Sequence, residues 1–461
     1  MGIPYYFAYL VKTYPEIMSE YRAIHEKVDI LYIDANSVIY DAIHAMKLDV
    51  AAGYEVYYDD IINATIARLR IIIKRVCVSK VFIAFDGVAP RAKMEQQRQR
   101  RARMGLTGLI FITPGTIFME KLTNCVHKEL SEYIITGADI PGEGEHKIFS
   151  DIRSRSEILK DQCVYVYGLD ADLIILGLAH CQLYIPKLKL IRERNQMTTD
   201  AHITTTKDDD ALFTMDMAYF ISILTNKEVL NIPDYIFMSF FLGNDFMPHF
   251  PSLNIRTNGI DNLFRTYRSL IKMCGQGGVF CSQNWDIQWS NVRKFIQLLA
   301  QKEGDWFYCE HVLRDKMEQR IQSQGVFKED DLPILYRETE KYIAPQYPNW
   351  EARYYMALFK EENVGRMDIC INWLEGLEWC MRYYYGIGGD VPSWTWVYKY
   401  NYPPLFIDLV NATPNTTFFN KDDIHVPCSP SEQLAYVMPI ANNKVELEWA
   451  YCRYTWEGHV C

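Results

Sequence analysis

Seven carboxylates lie in five short motifs of the chain, and four of these motifs follow or adjoin an apolar run. They are Asp34 in LYIDAN, Asp86 in FIAFDG, Glu143 and Glu145 in PGEGEH, Asp170 and Asp172 in GLDADL, and Asp245 in LGNDF. A chain that repeatedly ends a buried segment on an acid brings these charges together at one edge of the fold. Like charges a few Å apart cannot all ionise in a poorly solvated site. Divalent cations with oxygen ligands would resolve this conflict, and two such ions suit in-line displacement at phosphorus.

A strongly basic segment, RAKMEQQRQRRAR at residues 91–103, begins shortly after the second acidic motif. It contains neither Gly nor Pro, and most of its residues favour a helix. At about 100° per residue, Lys93, Gln97, Arg100 and Arg101 fall within an arc of roughly 100°. This face predicts a binding pocket for a terminal phosphate dianion. A solvated charged helix or a nuclear-localisation segment is the alternative that composition alone favours, but the position beside Asp86 favours the pocket.

The order of apolar runs predicts an α/β fold, a doubly wound and mostly parallel sheet. Near-continuous apolar strands are expected at 28–34, 80–86 and 163–168. Helices are expected between them, around 37–46, 58–77 and 116–135. In such a fold the active site lies beyond the carboxyl ends of the strands, which is where Asp34 and Asp86 would stand.

Two of the acidic motifs also have plainer interpretations. Asp172 could be the N-cap of the helix LIILGLA, and the GEGE stretch could be an ordinary loop. If the chain stays extended after the third strand, Asp170 and Asp172 instead point the same way. From the order of the motifs along the chain, we expect Asp34, Asp86 and Glu145 at one ion and Asp170, Asp172 and Asp245 at a second.

The Gly-rich stretch 272–279 predicts a boundary between two regions. Residues 1–270 would form the α/β core with the metal site and the phosphate pocket, and residues 280–461 a mainly helical region that closes the active site. At 461 residues and 49% hydrophobic, the chain can bury cores of this size. The net charge of −10 argues weakly against nucleic acid, but phosphate binding depends on the local field.

Compartment and assembly follow from weaker signals. No apolar run approaches the roughly 18 residues of a membrane span, and the start MGIPYYFAYLVKTYPEIM lacks the features of a signal peptide. Twelve scattered cysteines without metal-site spacing are typical of reduced thiols inside a cell. We expect a cytoplasmic protein, without excluding the nucleus, and a monomer.

The motifs together resemble the 5′→3′ exoribonucleases of the Xrn type. The resemblance runs in order through nearly the whole chain: MGIP, LYIDANSVIY, FDGVAPRAKMEQQRQRR, ITPGTIFM, PGEGEHKI, GLDADLIILGL, LIRE, FLGNDFMPHFPSL, GLEWCMRYYYGIGGDVPSWTWVYKYNYPPL and SPSEQLAYVMP. The family is similar to flap endonucleases in its nuclease core, so the resemblance implies a PIN/flap-endonuclease-like core.

The resemblance also implies roles for individual residues. The seven acids match the family's catalytic positions, which bind two Mg²⁺ or Mn²⁺ ions, and Lys93, Gln97, Arg100 and Arg101 match its 5′-monophosphate pocket. The implied activity is processive degradation of 5′-monophosphorylated single-stranded RNA to mononucleotides. A capped or triphosphorylated end would not fit, so a decapping or pyrophosphohydrolase enzyme would have to act first.

The chain departs from the family pattern in three places. Tyr40 stands where the family typically has His, and we expect it to stack on the first base together with Trp394 or Trp396; core packing is the alternative for each Trp. Only GLTGLIF separates the basic helix from ITPG, which predicts a shortened tower helix. The chain also ends soon after EQLAYVMP, as expected for a minimal catalytic body.

Two other functions use the same residues. A flap-type, structure-specific DNA nuclease shares the acidic core, although the basic face and the PGEGEH spelling argue against it. An inactive RNA-binding scaffold is the second, although all seven acids are present.

Overall fold

The structure, a computed structural model, describes most of the chain. The described residues are 2–46, 48, 53–104, 109–168, 170–193, 211–275, 279–282, 284–325, 332–359, 365–386, 391–419 and 426–437, without the side chains of 100–104 and 332–333. Within this part of the chain, no helix is both long and apolar enough to cross a membrane.

A mostly parallel seven-stranded sheet forms the centre of the fold, in the order β1-β7-β6-β5-β2-β3-β4. Strands β2 to β6 run parallel to one another, and β7 pairs antiparallel with both β6 and β1. The strands are β1 (Met18–Glu20), β2 (Ile30–Asp34), β3 (Val81–Ala84), β4 (Ile134–Thr136), β5 (Val164–Tyr167), β6 (Leu188–Glu193) and β7 (Leu212–Asp216).

Helices fill the connections between strands and make up most of the second half. They are α1 (Tyr6–Thr13), α2 (Asn36–Met46), α3 (Tyr58–Val76), α4 (Arg91–Met104), α5 (Ile117–Glu129), α6 (Gly144–Ser154), α7 (Ser156–Leu159), α8 (Asp172–Leu183), α9 (Met217–Ser222), α10 (Ile232–Ser239), α11 (Gly259–Cys274), α12 (Trp289–Gln324), α13 (Leu332–Leu335), α14 (Glu338–Ile343), α15 (Trp350–Phe359), α16 (Arg366–Tyr385), α17 (Phe406–Ala412) and α18 (Pro430–Val437). Short 3₁₀ turns lie at Pro15–Ile17, Tyr54–Tyr57 and Phe240–Leu242, and a π-helical turn lies at Ile223–Lys227.

The two faces of the sheet are covered by separate apolar cores, which is the doubly wound arrangement that the sequence predicts. Successive strand residues point to opposite faces, so Tyr32 packs in one core and Ile33 in the other. The Ile33 side is closed by α2, α3 and α5.

The Tyr32 side is closed by first-half helices such as α8 and by α12, α16 and α17 of the second half. This core takes residues from both sides of the Gly-rich stretch at 272–279. Phe241 and Trp373, for example, have ring centroids 5.1 Å apart. The second region is therefore built onto the sheet core through a shared apolar interior.

The predicted helix over 116–135 is too long at its carboxyl end. Helix α5 ends at Glu129, and residues 134–136 form the edge strand β4 beside β3. A strand of three residues is too short to show a period of its own. The predicted helices at 37–46 and 58–77 match α2 and α3 to within a residue.

Candidate active site

Three of the predicted acids meet at the carboxyl edge of the parallel strands. Asp34 is the last residue of β2, Asp86 follows β3, and Glu145 lies in the first turn of α6. One carboxylate oxygen from each of these residues lies within 4.8 Å of the others. Parallel strands end at one edge of a sheet, so the local pattern of their motifs is enough to bring Asp34 and Asp86 together. Glu145 joins them from the start of α6.

Gly144 allows this close approach. A Cβ at this position would lie 2.8 Å from Asp34 Oδ1 and 3.3 Å from Asp86 Oδ1. The missing side chain also lets the Gly144 N–H donate to Asp86 Oδ1 at 2.7 Å. Gly144, the glycine between the two acids of PGEGEH, is thus required by the packing of the carboxylates.

Asp86 is held in place from two sides. Asn36 Nδ2 donates to Asp86 Oδ2 at 2.5 Å, and the Asp86 N–H donates back to Asn36 Oδ1 at 3.1 Å. Lys147 Nζ fixes the start of the same loop by donating to the Phe85 carbonyl at 2.8 Å. Burial lowers the pKa of Lys147 to about 8.

Asp34 has the character of an ion ligand. Its side chain is buried, and Oδ1 has no hydrogen-bond partner among the described residues. Burial, followed by the charges of Asp86 and Asp170, raises the pKa of Asp34 well above its ordinary value. A buried, unpartnered carboxylate oxygen beside two other acids fits a divalent cation with oxygen ligands.

A second group of acids surrounds the ammonium of Lys93. Lys93 Nζ lies 2.6 Å from Glu143 Oε2 and 2.8 Å from Asp245 Oδ2. Burial alone would lower the pKa of Lys93, but Asp245 and Glu143 raise it well above its ordinary value. The first turn of the basic helix α4 therefore reaches into the acidic cluster.

Asp172 lies beside this second group. It is the first residue of α8, and Ala171 before it is the N-cap residue, so Asp172 is not the N-cap of this helix. Burial and then the charge of Asp245 raise the pKa of Asp172 to about 7. Asp170, two residues earlier, is exposed at the edge of the cluster.

Two tyrosines from the second half complete the site. Tyr383 donates to Glu143 Oε1 at 2.5 Å, and Tyr384 donates to Asp172 Oδ1 at 2.6 Å. Both phenols are buried at the carboxyl end of α16, and the Tyr383 ring centroid lies 3.7 Å from that of His146. Sequence reasoning missed both, because adjacent tyrosines at the end of a helix look like ordinary core residues.

The basic segment is a helix, as predicted, and its one acid is neutralised within the fold. Glu95 accepts hydrogen bonds from Arg98 Nε at 3.1 Å and from the Tyr436 hydroxyl at 2.8 Å. Gln97 is buried, and its Oε1 accepts from Gln433 Nε2 at 3.3 Å. Arg100 and Arg101 belong to α4, but their side chains lie outside the described part of the chain.

The predicted stacking residues lie in different settings. Tyr40 on α2 is partly buried against the apolar core of its sheet face. Trp396 is only 8% exposed and stacks on Trp379 with centroids 5.2 Å apart, which is a core position. Trp394 is partly exposed, and its carbonyl accepts from the Arg91 N–H at 2.9 Å, so it adjoins the basic helix. Trp394 also packs against the small apolar cluster of Val88, Met94 and Val437 and is the less buried of the two tryptophans.

The sheet carries clustered acids at its carboxyl edge, and a basic helix leads away from that edge. This combination defines a class of α/β protein with a nuclease-type, divalent-metal centre. Family models agree with this class. The model described as XRN 5′–3′ exonuclease N-terminus matches residues 1–108 and 108–194, and the one described as Xrn1 helical domain matches 228–341 and 346–453. The chain belongs to the Xrn-type 5′–3′ exoribonuclease family.

Curated relatives are similar along almost the whole chain. The 5′–3′ exoribonuclease 2 homolog of Drosophila melanogaster is 26% identical over 98% of this chain, which spans 65% of the fly protein. Human 5′–3′ exoribonuclease 1 is 26% identical over 96% of this chain, which spans 31% of the human protein. Among solved structures, the catalytic core of Rad2 in complex with DNA substrate is 14% identical and covers 72% of this chain and 84% of its own, with a TM-score of 0.40.

Proposed function

We propose that this chain is a metal-dependent, processive 5′→3′ exoribonuclease that degrades 5′-monophosphorylated single-stranded RNA to mononucleotides. The observation that carries the proposal is the junction of the acidic cluster with the basic helix through Lys93, 2.6 Å from Glu143. A nuclease that removes one nucleotide at a time needs its terminal-phosphate site close to its hydrolytic site, and this junction supports such an arrangement.

Two Mg²⁺ or Mn²⁺ ions are the proposed cofactors, held by the seven acids, six of which follow the division between the two ions expected from the sequence. When bound, such ions supply an activated water and stabilise the leaving oxygen. The chain's own contribution is to orient the ligands. Asn36 and Gly144 fix Asp86, while Tyr383 and Tyr384 fix Glu143 and Asp172.

Lys93, Gln97, Arg100 and Arg101 are the proposed 5′-phosphate ligands. A terminal phosphate carries up to two negative charges and only accepts hydrogen bonds, so convergent cations and an amide N–H suit it. The first base would stack on Tyr40 and Trp394, which is sequence-tolerant and contributes about 1 to 3 kcal/mol per base. A pocket sized for one phosphate group would exclude capped and triphosphorylated ends, so substrate would come from a decapping or pyrophosphohydrolase reaction.

The test compares RNAs of one sequence that carry a 5′-monophosphate, a 5′-hydroxyl or a 5′-triphosphate, with circular RNA and a DNA flap beside them. We expect fast loss of the monophosphorylated RNA alone, dependence on Mg²⁺ or Mn²⁺, and mononucleotide products. Asp172→Ala should lower kcat by about a hundredfold or more and still bind RNA. The matched control is Asp305→Ala, because Asp305 is an exposed acid. Equal degradation of all three ends, or cleavage of the circle, would contradict the proposal.

A further inference from the structure

Gln433 is a fully buried polar residue on α18, far along the sequence from the acids and the basic helix. Its side chain bridges two segments of the first half. The Ala89 N–H donates to Gln433 Oε1 at 2.8 Å, and Gln433 Nε2 donates to Gln97 Oε1 at 3.3 Å. The three groups form one chain of hydrogen bonds that ends on a proposed phosphate ligand.

The Ala89 N–H sets the direction of both hydrogen bonds. A backbone N–H can only donate, so the Gln433 amide must turn its oxygen toward Ala89. The NH₂ group of Gln433 then faces Gln97 and donates a hydrogen bond to its side-chain oxygen. An amide carries its oxygen and its nitrogen on opposite sides, so Gln97 is left with its N–H donors to offer elsewhere.

We infer that Gln433 is a positioning residue that fixes the Gln97 amide with its N–H donors toward the 5′-phosphate of the substrate. The inference rests on the proposed function, because it needs Gln97 to meet that phosphate. A phosphate oxygen only accepts hydrogen bonds, so a Gln97 amide turned the other way would present an oxygen to an anion. Gln433 would thus contribute to the choice of a phosphorylated end without touching it.

Helix α18 is held on α4 by contacts that do not involve Gln433. The Tyr436 hydroxyl donates to Glu95, and the guanidinium carbons of Arg91 and Arg98 lie 4.9 and 5.5 Å from the centroid of the Tyr436 ring. Val437 packs with Val88 and Met94. The docking of α18 and the orientation of Gln97 can therefore be separated by mutation.

The main test is Gln433→Glu, which keeps an acceptor for the Ala89 N–H and replaces the N–H donor to Gln97 with a charged carboxylate oxygen. The measurement is kcat/KM on 5′-monophosphate and 5′-hydroxyl RNA of one sequence, with the melting temperature alongside. We expect the ratio of the two kcat/KM values to fall by about ten- to a hundredfold, the usual effect of one hydrogen bond to a charged group. Turnover of the 5′-hydroxyl RNA should change little.

Two further variants separate orientation from added charge and from docking. Gln433→Met adds no charge and should also lower the ratio of the two kcat/KM values. This variant replaces Gln433→Glu in the test if Gln433→Glu does not fold. Tyr436→Phe alters the docking contact on the same helix and should leave the ratio unchanged. A ratio that stays at the wild-type value in both Gln433 variants would overturn the inference.

A double-mutant comparison gives the sharpest result. In a Gln97→Leu background, Gln433→Glu should cause no further fall in the ratio, because the amide that it orients is gone. An equal fall in both backgrounds would mean that Gln433 acts through charge or stability. Failure of the proposed function would look different, because the wild-type protein itself would then not discriminate between the two RNA ends.

Discussion

Asp34 Oδ1 is a buried carboxylate oxygen whose neighbours are acids rather than hydrogen-bond donors. Gly144 places the Asp86 carboxylate against it, and no described residue donates to it. In a metal-free protein this arrangement opposes folding, since each unit by which a carboxyl pKa is raised corresponds to about 1.4 kcal/mol. The same arrangement favours a bound cation, so metal binding and stability are linked at this residue.

Asp34→Asn should therefore raise the melting temperature of the metal-free protein and abolish the increase that Mn²⁺ gives the wild-type protein. A ligand that binds only the folded state stabilises it by mass action, and that term is lost with the ligand. Differential scanning calorimetry in EDTA and in Mn²⁺ measures both effects, with Asp305→Ala as the control. An undiminished Mn²⁺ shift in Asp34→Asn would rule out this residue as a ligand.

Arg101 is expected to act on the end of the RNA rather than on the strand as a whole. Arg101→Ala should lower kcat/KM on 5′-monophosphorylated RNA by about ten- to a hundredfold, because one charge-assisted contact to the phosphate is lost. General RNA binding should change far less. It is measured as the Kd for 5′-hydroxyl RNA, with Arg101→Ala introduced into the catalytically inactive Asp172→Ala protein. Equal weakening with both RNAs would make α4 a general electrostatic surface.

At the scale of elements, the acids at strand ends could be predicted from the sequence. The residues of α16 and α18 that hydrogen-bond to the site could not. Asp34 and Asp86 follow apolar runs, and a parallel sheet aligns such ends whatever the tertiary details. Tyr383, Tyr384 and Gln433 reach the site from α16 and α18, and no local pattern distinguishes them from core residues. The three-residue strand β4 was missed for a related reason, since its pairing with β3 rather than its own period defines it.

Helix α16 brings two phenols to two acids, so its last turn can be tested by removing single hydroxyls. Tyr383→Phe and Tyr384→Phe should each lower kcat by several-fold to about tenfold, because a carboxylate that loses a short hydrogen bond is held less firmly. The Mg²⁺ concentration needed for half-maximal activity should rise, and so should the Kd for Mn²⁺ measured without RNA.

Tyr398→Phe is the matched control for these two variants. Its buried hydroxyl donates to the Tyr402 carbonyl at 2.7 Å and touches none of the acids. This variant should lose stability, by about 1 kcal/mol, with metal affinity unchanged. Were all three variants to show the same loss of metal affinity, the tyrosines of α16 would have only a packing role.

At the scale of the whole molecule, the second half is joined to the first by apolar and polar contacts alike. Asp234 on α10 accepts hydrogen bonds from the Phe280 and Cys281 N–H groups at 3.0 and 2.9 Å, directly after the Gly-rich stretch. The shared core and the two phenols then place α16 over the acids. A site assembled from both halves encloses an RNA strand better than an open sheet edge would. Such enclosure favours an RNA that stays bound between cuts over one that is released after each cut.

Processivity is the last consequence that we predict. A 5′-phosphorylated, 3′-labelled RNA that carries a hairpin should go directly from full length to end product, because the new 5′-phosphate formed by each cut can enter the same pocket while the strand stays enclosed. The hairpin should slow digestion where its duplex must open before the RNA strand can reach the acids. A gel time course with excess unlabelled competitor RNA, added after initiation, measures this. A ladder of evenly populated intermediates on unstructured RNA, or immediate arrest by the competitor, would show that the strand is released between cuts.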